Sequence, residues 1–244
     1  MLMLSKQEIK FIRSLSQKKY REENSMFIAE GEKLVSELLS SDFELVCKYT
    51  KDQIGEDAMS RISLLSSPSP VLAVGKIPIS GEMTAPDRSK LTLALDSVRD
   101  PGNLGTIIRI ADWFGIDTIY ASEDSVELYN PKCVQATMGA LFRVKVFYTD
   151  LAKLLNKNRE IVNIYGTFLG APSIYETSLD KGGIIVMGNE SEGISPEIEK
   201  LVTRKIMIPP YPAESARGES LNVAIATAVV CSEFRRSSGG QLQK

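Results

Sequence analysis

Two hydrophobic patterns alternate along the chain: segments with apolar residues three or four apart, and short continuous apolar runs bounded by polar turns. Ile9, Ile12 and Leu15 recur at helical spacing within residues 5–23 and predict one amphipathic helix there. An extended segment at 26–30 (MFIAE), a helix over 31–41, an extended segment at 43–50 and a polar helix near 51–60 follow. Residues 61–76 predict two short strands around a Ser/Pro turn, which makes residues 1–76 a small α/β domain. Residues 77–90 carry Pro78, Gly81 and Pro86 with no apolar period and read as a linker.

From residue 91 the alternation restarts. Strands are expected at 91–96, 117–122, 144–148, 161–168, 183–188 and 204–209, and helices near 104–114, 131–141, 150–158, 196–203 and 220–236. Continuous apolar strands separated by amphipathic helices predict a mostly parallel sheet covered on both faces, so 91–244 forms a second, larger α/β domain. The final SSGGQLQK reads as a frayed tail.

Composition narrows the chemistry. With 43% hydrophobic and 25% charged residues the chain is neither disordered, collagenous nor a coiled coil. Net charge is −2, from 29 Lys and Arg against 31 Asp and Glu, so nucleic-acid binding would need a local basic patch. One exists: Lys6, Lys10, Arg13, Lys18, Lys19 and Arg21 crowd residues 5–23. No apolar stretch approaches the roughly 18–20 residues of a membrane helix, and MLMLSKQEIK holds no apolar run before a cleavage site, so a cytoplasmic protein without a membrane partner is expected. The chain has no histidine, which excludes a Ser-His-Asp triad, a histidine base and every histidine-containing zinc site. Cys47, Cys133 and Cys231 are too few for a four-thiolate site and odd in number for disulfides, so buried reduced thiols and no metal are expected.

Ligands of doubly wound sheets bind beyond the carboxyl ends of the strands. Three strand exits are unusual. After LALD comes Ser97-Val98-Arg99-Asp100-Pro101-Gly102-Asn103, a turn from which Asn103 is placed to cap a helix whose apolar stripe is Leu104, Ile107, Ile108, Ala111 and Phe114. Arg109 falls outside that stripe and points away from the core; alone, it could be a solvated helix charge. The strand GIIVMG ends in Gly188-Asn189-Glu190-Ser191-Glu192-Gly193, which fits neither glycine-rich phosphate motif, and whose carboxylates repel phosphate. An adenosine-bearing ligand without phosphate suits this turn; the alternative is a structural turn in which Ser195 caps the helix begun at Pro196. The third exit runs from Ile208-Pro209 through a polar loop with Arg217 and Gly218 to Ser220-Leu221-Asn222-Val223, where Ser220 and Asn222 can serve as caps and Arg235 and Arg236 can complement the helix C-terminus.

Taken in order, Asn103 to Arg109, Gly188-Asn189-Glu190-x-x-Gly193, and Ile208-Pro209 with Ser220-Leu221-Asn222-Val223 resemble the three motifs of the SpoU (TrmH-like) RNA ribose 2'-O-methyltransferases of the SPOUT superfamily. FIAEGEKLVSELL resembles that family's L30e-like substrate-binding domain. The resemblance implies a trefoil-knotted C-terminal domain, a homodimer with the active site near the subunit interface, and S-adenosylmethionine held by groups around Gly188, Asn189, Glu190, Gly193, Ile208, Pro209, Ser220, Leu221 and Asn222. It assigns Arg109 to activation of the ribose hydroxyl, with Asn103, Glu190, Ser220 and Asn222 shaping the site. A guanidinium is a poor literal base, so a clamp on phosphate and on the developing alkoxide is the preferred role for Arg109. RNA capture falls to Lys10, Arg13, Lys18, Lys19 and Arg21, with ribosomal RNA the first expected substrate and transfer RNA the second. The competing classes are an RNA-binding protein that has lost methyl transfer and an enzyme that methylates a base or acts on a small nucleotide.

Overall fold

A computed structural model describes residues 3–79, 81–212 and 220–238. Residues 213–219, with Arg217 and Gly218 of the expected polar loop, and residues 239–244 of the expected SSGGQLQK tail lie outside the described residues, while Ser237 and Ser238 of that tail close the last helix. The chain divides into two compact units, residues 1–81 with 127–143, and residues 82–126 with 144–244.

In the first unit the expected single N-terminal helix is two, α1 (Lys6–Ser14) and α2 (Lys18–Asn24). Ser5 and Glu8 cap α1 reciprocally, and Ile9 and Ile12 face inward. Leu15 leaves the helix and is fully buried, so a turn through Leu15–Gln17 separates the two. Strand β1 (Met26–Glu30), helix α3 (Glu32–Leu39), strand β2 (Leu45–Thr50), helices α4 (Lys51–Ile54) and α5 (Glu56–Ile62) and strand β3 (Val71–Lys76) complete this part. Gly55, at φ +82°, breaks the expected 51–60 helix into α4 and α5, and α5 occupies residues expected to begin a strand. The sheet is antiparallel in the order β1-β3-β2. Its core joins Ile9, Ile12 and Leu15 to Ile28, Met59, Ile62, Leu72 and Val74.

The second unit holds a six-stranded sheet, expected to be mostly parallel and with every strand pairing among the described residues parallel. Strand β4 (Leu91–Leu95) leads through helix α6 (Pro101–Trp113) to β5 (Thr118–Ala121). Helix α7 (Pro131–Thr137) then precedes β6 (Lys145–Tyr148), α8 (Leu151–Asn158), β7 (Ile164–Thr167), β8 (Gly183–Met187), α9 (Pro196–Glu199), β9 (Arg204–Ile206) and α10 (Val223–Ser238). The strand order is β6-β5-β4-β8-β7-β9. Period-two alternation sends Ala94, Tyr120, Ile164, Ile184 and Val186 to the face covered by α8 and α9. Tyr165 faces the opposite way, where Phe234 of α10 meets it edge-on at 4.8 Å. Arg235, expected at its own helix end, instead donates to Phe114 O (2.7 Å) and Gly115 O (3.1 Å), satisfying the carbonyls at the end of α6.

Residues 127–143, which the expected boundaries place in the second domain, pack with the first unit. Tyr129 and Phe142 meet Phe27, Arg143 pairs with Glu37, and Glu127 pairs with Arg21. Gly139, at φ +96°, seats this segment on α3: a Cβ there would lie 2.5 Å from Glu37 Cγ.

Candidate active site

The first exit begins as β4 ends, and it departs from expectation in one respect that defines the site. Helix α6 starts at Pro101, with Asp100 as its cap: Asp100 Oδ1 accepts from Asn103 N at 2.8 Å. Asn103 is therefore inside the first turn and its side chain is released from capping. Its Nδ2 donates to Glu190 Oε1 on the second exit (2.8 Å), and its Oδ1 accepts from Asn222 Nδ2 on the third (3.0 Å). Asn222 Oδ1 in turn accepts from Ala224 N (3.0 Å) and Ile225 N (3.3 Å), so Asn222, not Ser220, caps α10.

These bonds form a directed relay. A carboxylate only accepts, so Glu190 fixes Asn103 with its amide nitrogen toward Glu190; Asn103 then offers oxygen to Asn222, whose own oxygen meets the amides opening α10. Donation runs from the positive end of a helix, through two amides, to a carboxylate. Residues 87 and 119 positions distant from Asn103 are joined to it in this way. Asn103 and Glu190 are half-buried and Asn222 is exposed, so a ligand can reach the relay.

The second exit is a closed loop. Asn189 and Gly193 bond each other through both backbone amides (2.9 and 3.0 Å), and Asn189 Oδ1 accepts from Ser191 N and Glu192 N. Gly188 admits no side chain, since a Cβ would lie 2.2 Å from Gly193 C, whereas Gly193, at φ +72°, borders open space. Ser195 precedes α9 but makes no side-chain cap bond. On the third exit Ile208 and Pro209 are half-buried just beyond β9, and Ser220 and Leu221 are exposed; the relay does not include them.

Arg109 is exposed on α6, as expected, and makes no hydrogen bond or ion pair with another described residue. Six residues beyond Asn103 it lies about 9 Å further along the helix and on another face. One turn on, Trp113 is 85% exposed, so the two share a surface.

The basic patch is smaller than its sequence suggests. Arg21 is corrected from a surface cation to a buried one, 2% exposed, donating to Leu15 O (2.7 Å) and paired with Glu127. Arg13 is exposed and donates to Arg61 O and Ser63 O at 3.3 and 3.4 Å. Lys10 is exposed, and Lys18 and Lys19 sit loosely near Glu22 (3.6 Å) and Glu23 (3.8 Å) one helical turn away.

A cavity of about 390 Å³ opens at the exits of β4, β5 and β6, lined among others by Asp96, Glu123, Asp124, Asp150, Lys153 and Glu197. None of the expected site residues lines it, and its carboxylates disfavour phosphate. Cys133 and Cys231 are buried, and burial pushes Cys231 up to about 12, which makes it a poor nucleophile. Among the described residues no group of His, Cys, Asp or Glu is arranged to hold a metal ion, and no helix is long and apolar enough to cross a membrane.

The model of the SpoU rRNA methylase family matches residues 90–232, and that of the MRM3-like substrate binding domain matches residues 6–65. The 23S rRNA (guanosine(2553)-2'-O)-methyltransferase RlmP of Bacillus subtilis is 30% identical, over 94% of this chain and 96% of its own. A TrmH-family protein from Porphyromonas gingivalis is 39% identical, with a TM-score of 0.83 over 96% of this chain and 99% of that one. The AdoMet-bound rRNA methyltransferase from Sinorhizobium meliloti is 28% identical, with a TM-score of 0.84 over 96% and 97%.

Proposed function

Because the chain belongs to the SpoU rRNA methylase family, we propose that it is an S-adenosylmethionine-dependent RNA methyltransferase acting on a ribose 2'-hydroxyl, with ribosomal RNA as its substrate. The observation that carries this reading is the relay from Asn222 through Asn103 to Glu190, which ties the three motif-bearing exits into one place. Residues 188–195 contain two glutamates and no Lys or Arg, so the loop suits a cationic ligand without phosphate, and Gly193 leaves its backbone open to one. Gly188–Gly193, Ile208, Pro209 and Ser220–Asn222 would hold the cofactor, which supplies a methyl group on a positively charged sulfur.

The chain's own residues supply the rest. A guanidinium offers donors and no acceptor, so Arg109 binds substrate phosphate and stabilises the alkoxide as the hydroxyl proton leaves through phosphate or water. Holding the oxygen in line with its methyl donor is worth up to roughly 7–11 kcal/mol in well-oriented systems, which is the role of the rigid relay. Lys10, Lys18 and Lys19 contact RNA phosphates without reading sequence; the match of residues 6–65 to a substrate binding domain supports this.

The reading extends to a homodimer, a knotted C-terminal segment and a cytoplasmic setting. Exposed Trp113, Leu221 and Ile225, on or beside the mutually packed α6 and α10, support the dimer: a second copy would cover this apolar surface next to Arg109. Support for the knot is the strand order, in which β8 enters the sheet between β4 and the earlier β7. The similarity to a bacterial enzyme that acts on ribosomal RNA supports the cytoplasm. Incubation with methyl-labelled S-adenosylmethionine and total RNA, followed by mapping of the labelled ribose, tests the function. Label in ribosomal RNA is expected; label in transfer RNA, in a base or nowhere would overturn the assignment.

A further inference from the structure

The apolar run of β4 ends in Asp96, a carboxylate only 6% exposed that takes no part in the relay. Its Oδ2 accepts from Ser195 N at 2.7 Å, and its own N donates to Met187 O at 2.9 Å, so it grips β8 on one side and the far end of the Gly188–Gly193 loop on the other. The next residue holds the near end: Ser97 O accepts from Asn189 Nδ2 at 2.8 Å. Both ends of the loop are therefore fastened to two consecutive residues of the first exit. Between the fastenings Glu190 projects to Asn103.

The backbone at Ser97 shows that this arrangement is imposed. Ser97 adopts φ +58°, a left-handed conformation that costs a non-glycine residue free energy and persists where surroundings hold it. The β5 exit does so: Ser97 N donates to Ser122 Oγ (2.8 Å), and Ser97 Oγ and Arg99 Nη2 both donate to Asp124. The turned carbonyl is the one Asn189 requires.

We propose that Asp96 is a positioning residue for the cofactor: with Ser97 and Asn189 it holds the Gly188–Ser195 loop in the shape that receives S-adenosylmethionine and aims Glu190 at Asn103. This rests on the cofactor assignment above. Asn189 Oδ1 and one Nδ2 proton already serve the loop and Ser97, so Asn189 acts here by holding the loop.

Calorimetric titration of S-adenosylmethionine into the full-length protein tests it, with hydrogen exchange at Ser195 N as an independent readout. Asp96→Ala should weaken cofactor affinity by about tenfold or more and speed exchange at Ser195, because a bond to a charged acceptor is lost. Asp96→Asn keeps an acceptor oxygen and should recover most of that loss, while RNA affinity stays at the parent value in both. Asn189→Ala should reproduce the cofactor defect from the other end of the loop, and decides the matter if Asp96→Ala does not fold. Parent-like cofactor affinity in folded Asp96→Ala, or in Asn189→Ala, overturns the proposal. Absence of binding by the parent protein would instead overturn the cofactor assignment.

Discussion

Asn103→Asp changes one atom type at the centre of the relay and converts its donor into an acceptor. The new carboxylate would face Glu190 Oε1 across 2.8 Å. The lost bond to a charged group is worth about 1.5–3 kcal/mol. Two ionised carboxylates this close would repel by several kcal/mol, roughly 4 kcal/mol at 4 Å for a pair near the surface, so the pair retains a proton instead. That proton bridges the two groups and partly restores the relay. In the folded variant the last ionisation of the pair thus lies above that of unfolded carboxylates. The associated stability is present at acid pH and is lost as pH rises through the raised value. Titration with S-adenosylmethionine and thermal melting, both from pH 5 to pH 8, should show the variant losing about tenfold or more in affinity, and stability with it, relative to the parent as pH rises. Asn103→Ala lacks the titrating group and should be impaired evenly at every pH. A pH profile for Asn103→Asp that parallels the parent would refute the relay.

Three further substitutions probe the remaining assignments. Arg109→Ala should lower kcat by about a hundredfold or more while cofactor affinity, read calorimetrically, is nearly kept; full turnover would remove Arg109 from the chemistry. Lys18→Glu with Lys19→Glu should weaken RNA binding and flatten its dependence on salt by about one phosphate contact per lysine, measured by filter binding from low to moderate salt; unchanged slopes would move the RNA surface elsewhere. Arg21→Ala should cost about 3 kcal/mol in denaturant unfolding, because it strands the half-buried Glu127 carboxylate and the buried Leu15 O, and a stability equal to the parent would show that the pair is not a structural one.

The strands were legible because buried parallel strands are written as unbroken apolar runs; LTLAL and GIIVM are each buried throughout. Their order was not, since it depends on pairings such as Leu93 with Ile185, 92 residues apart. Asp100-Pro101 is a helix-start signal in its own right, but Pro-Gly also marks a turn, and local chemistry alone favoured Asn103 as the cap. That choice hid the role of Asn103 in the relay. Arg21 looked like its lysine neighbours because its partner Glu127 stands 106 positions away, and the Leu15–Gln17 turn that buries it contains neither glycine nor proline. Asp96 carried a faint signal, a charge closing a run of five buried residues, which only the bond to Ser195 turns into meaning.

A crystal structure with S-adenosylmethionine bound tests the central claim most directly. The donor is expected among Gly188–Gly193, Ile208–Pro209 and Leu221, beside an intact Asn222–Asn103–Glu190 relay. Density in the carboxylate-lined cavity at the exits of β4, β5 and β6, with those turns bare, would contradict it.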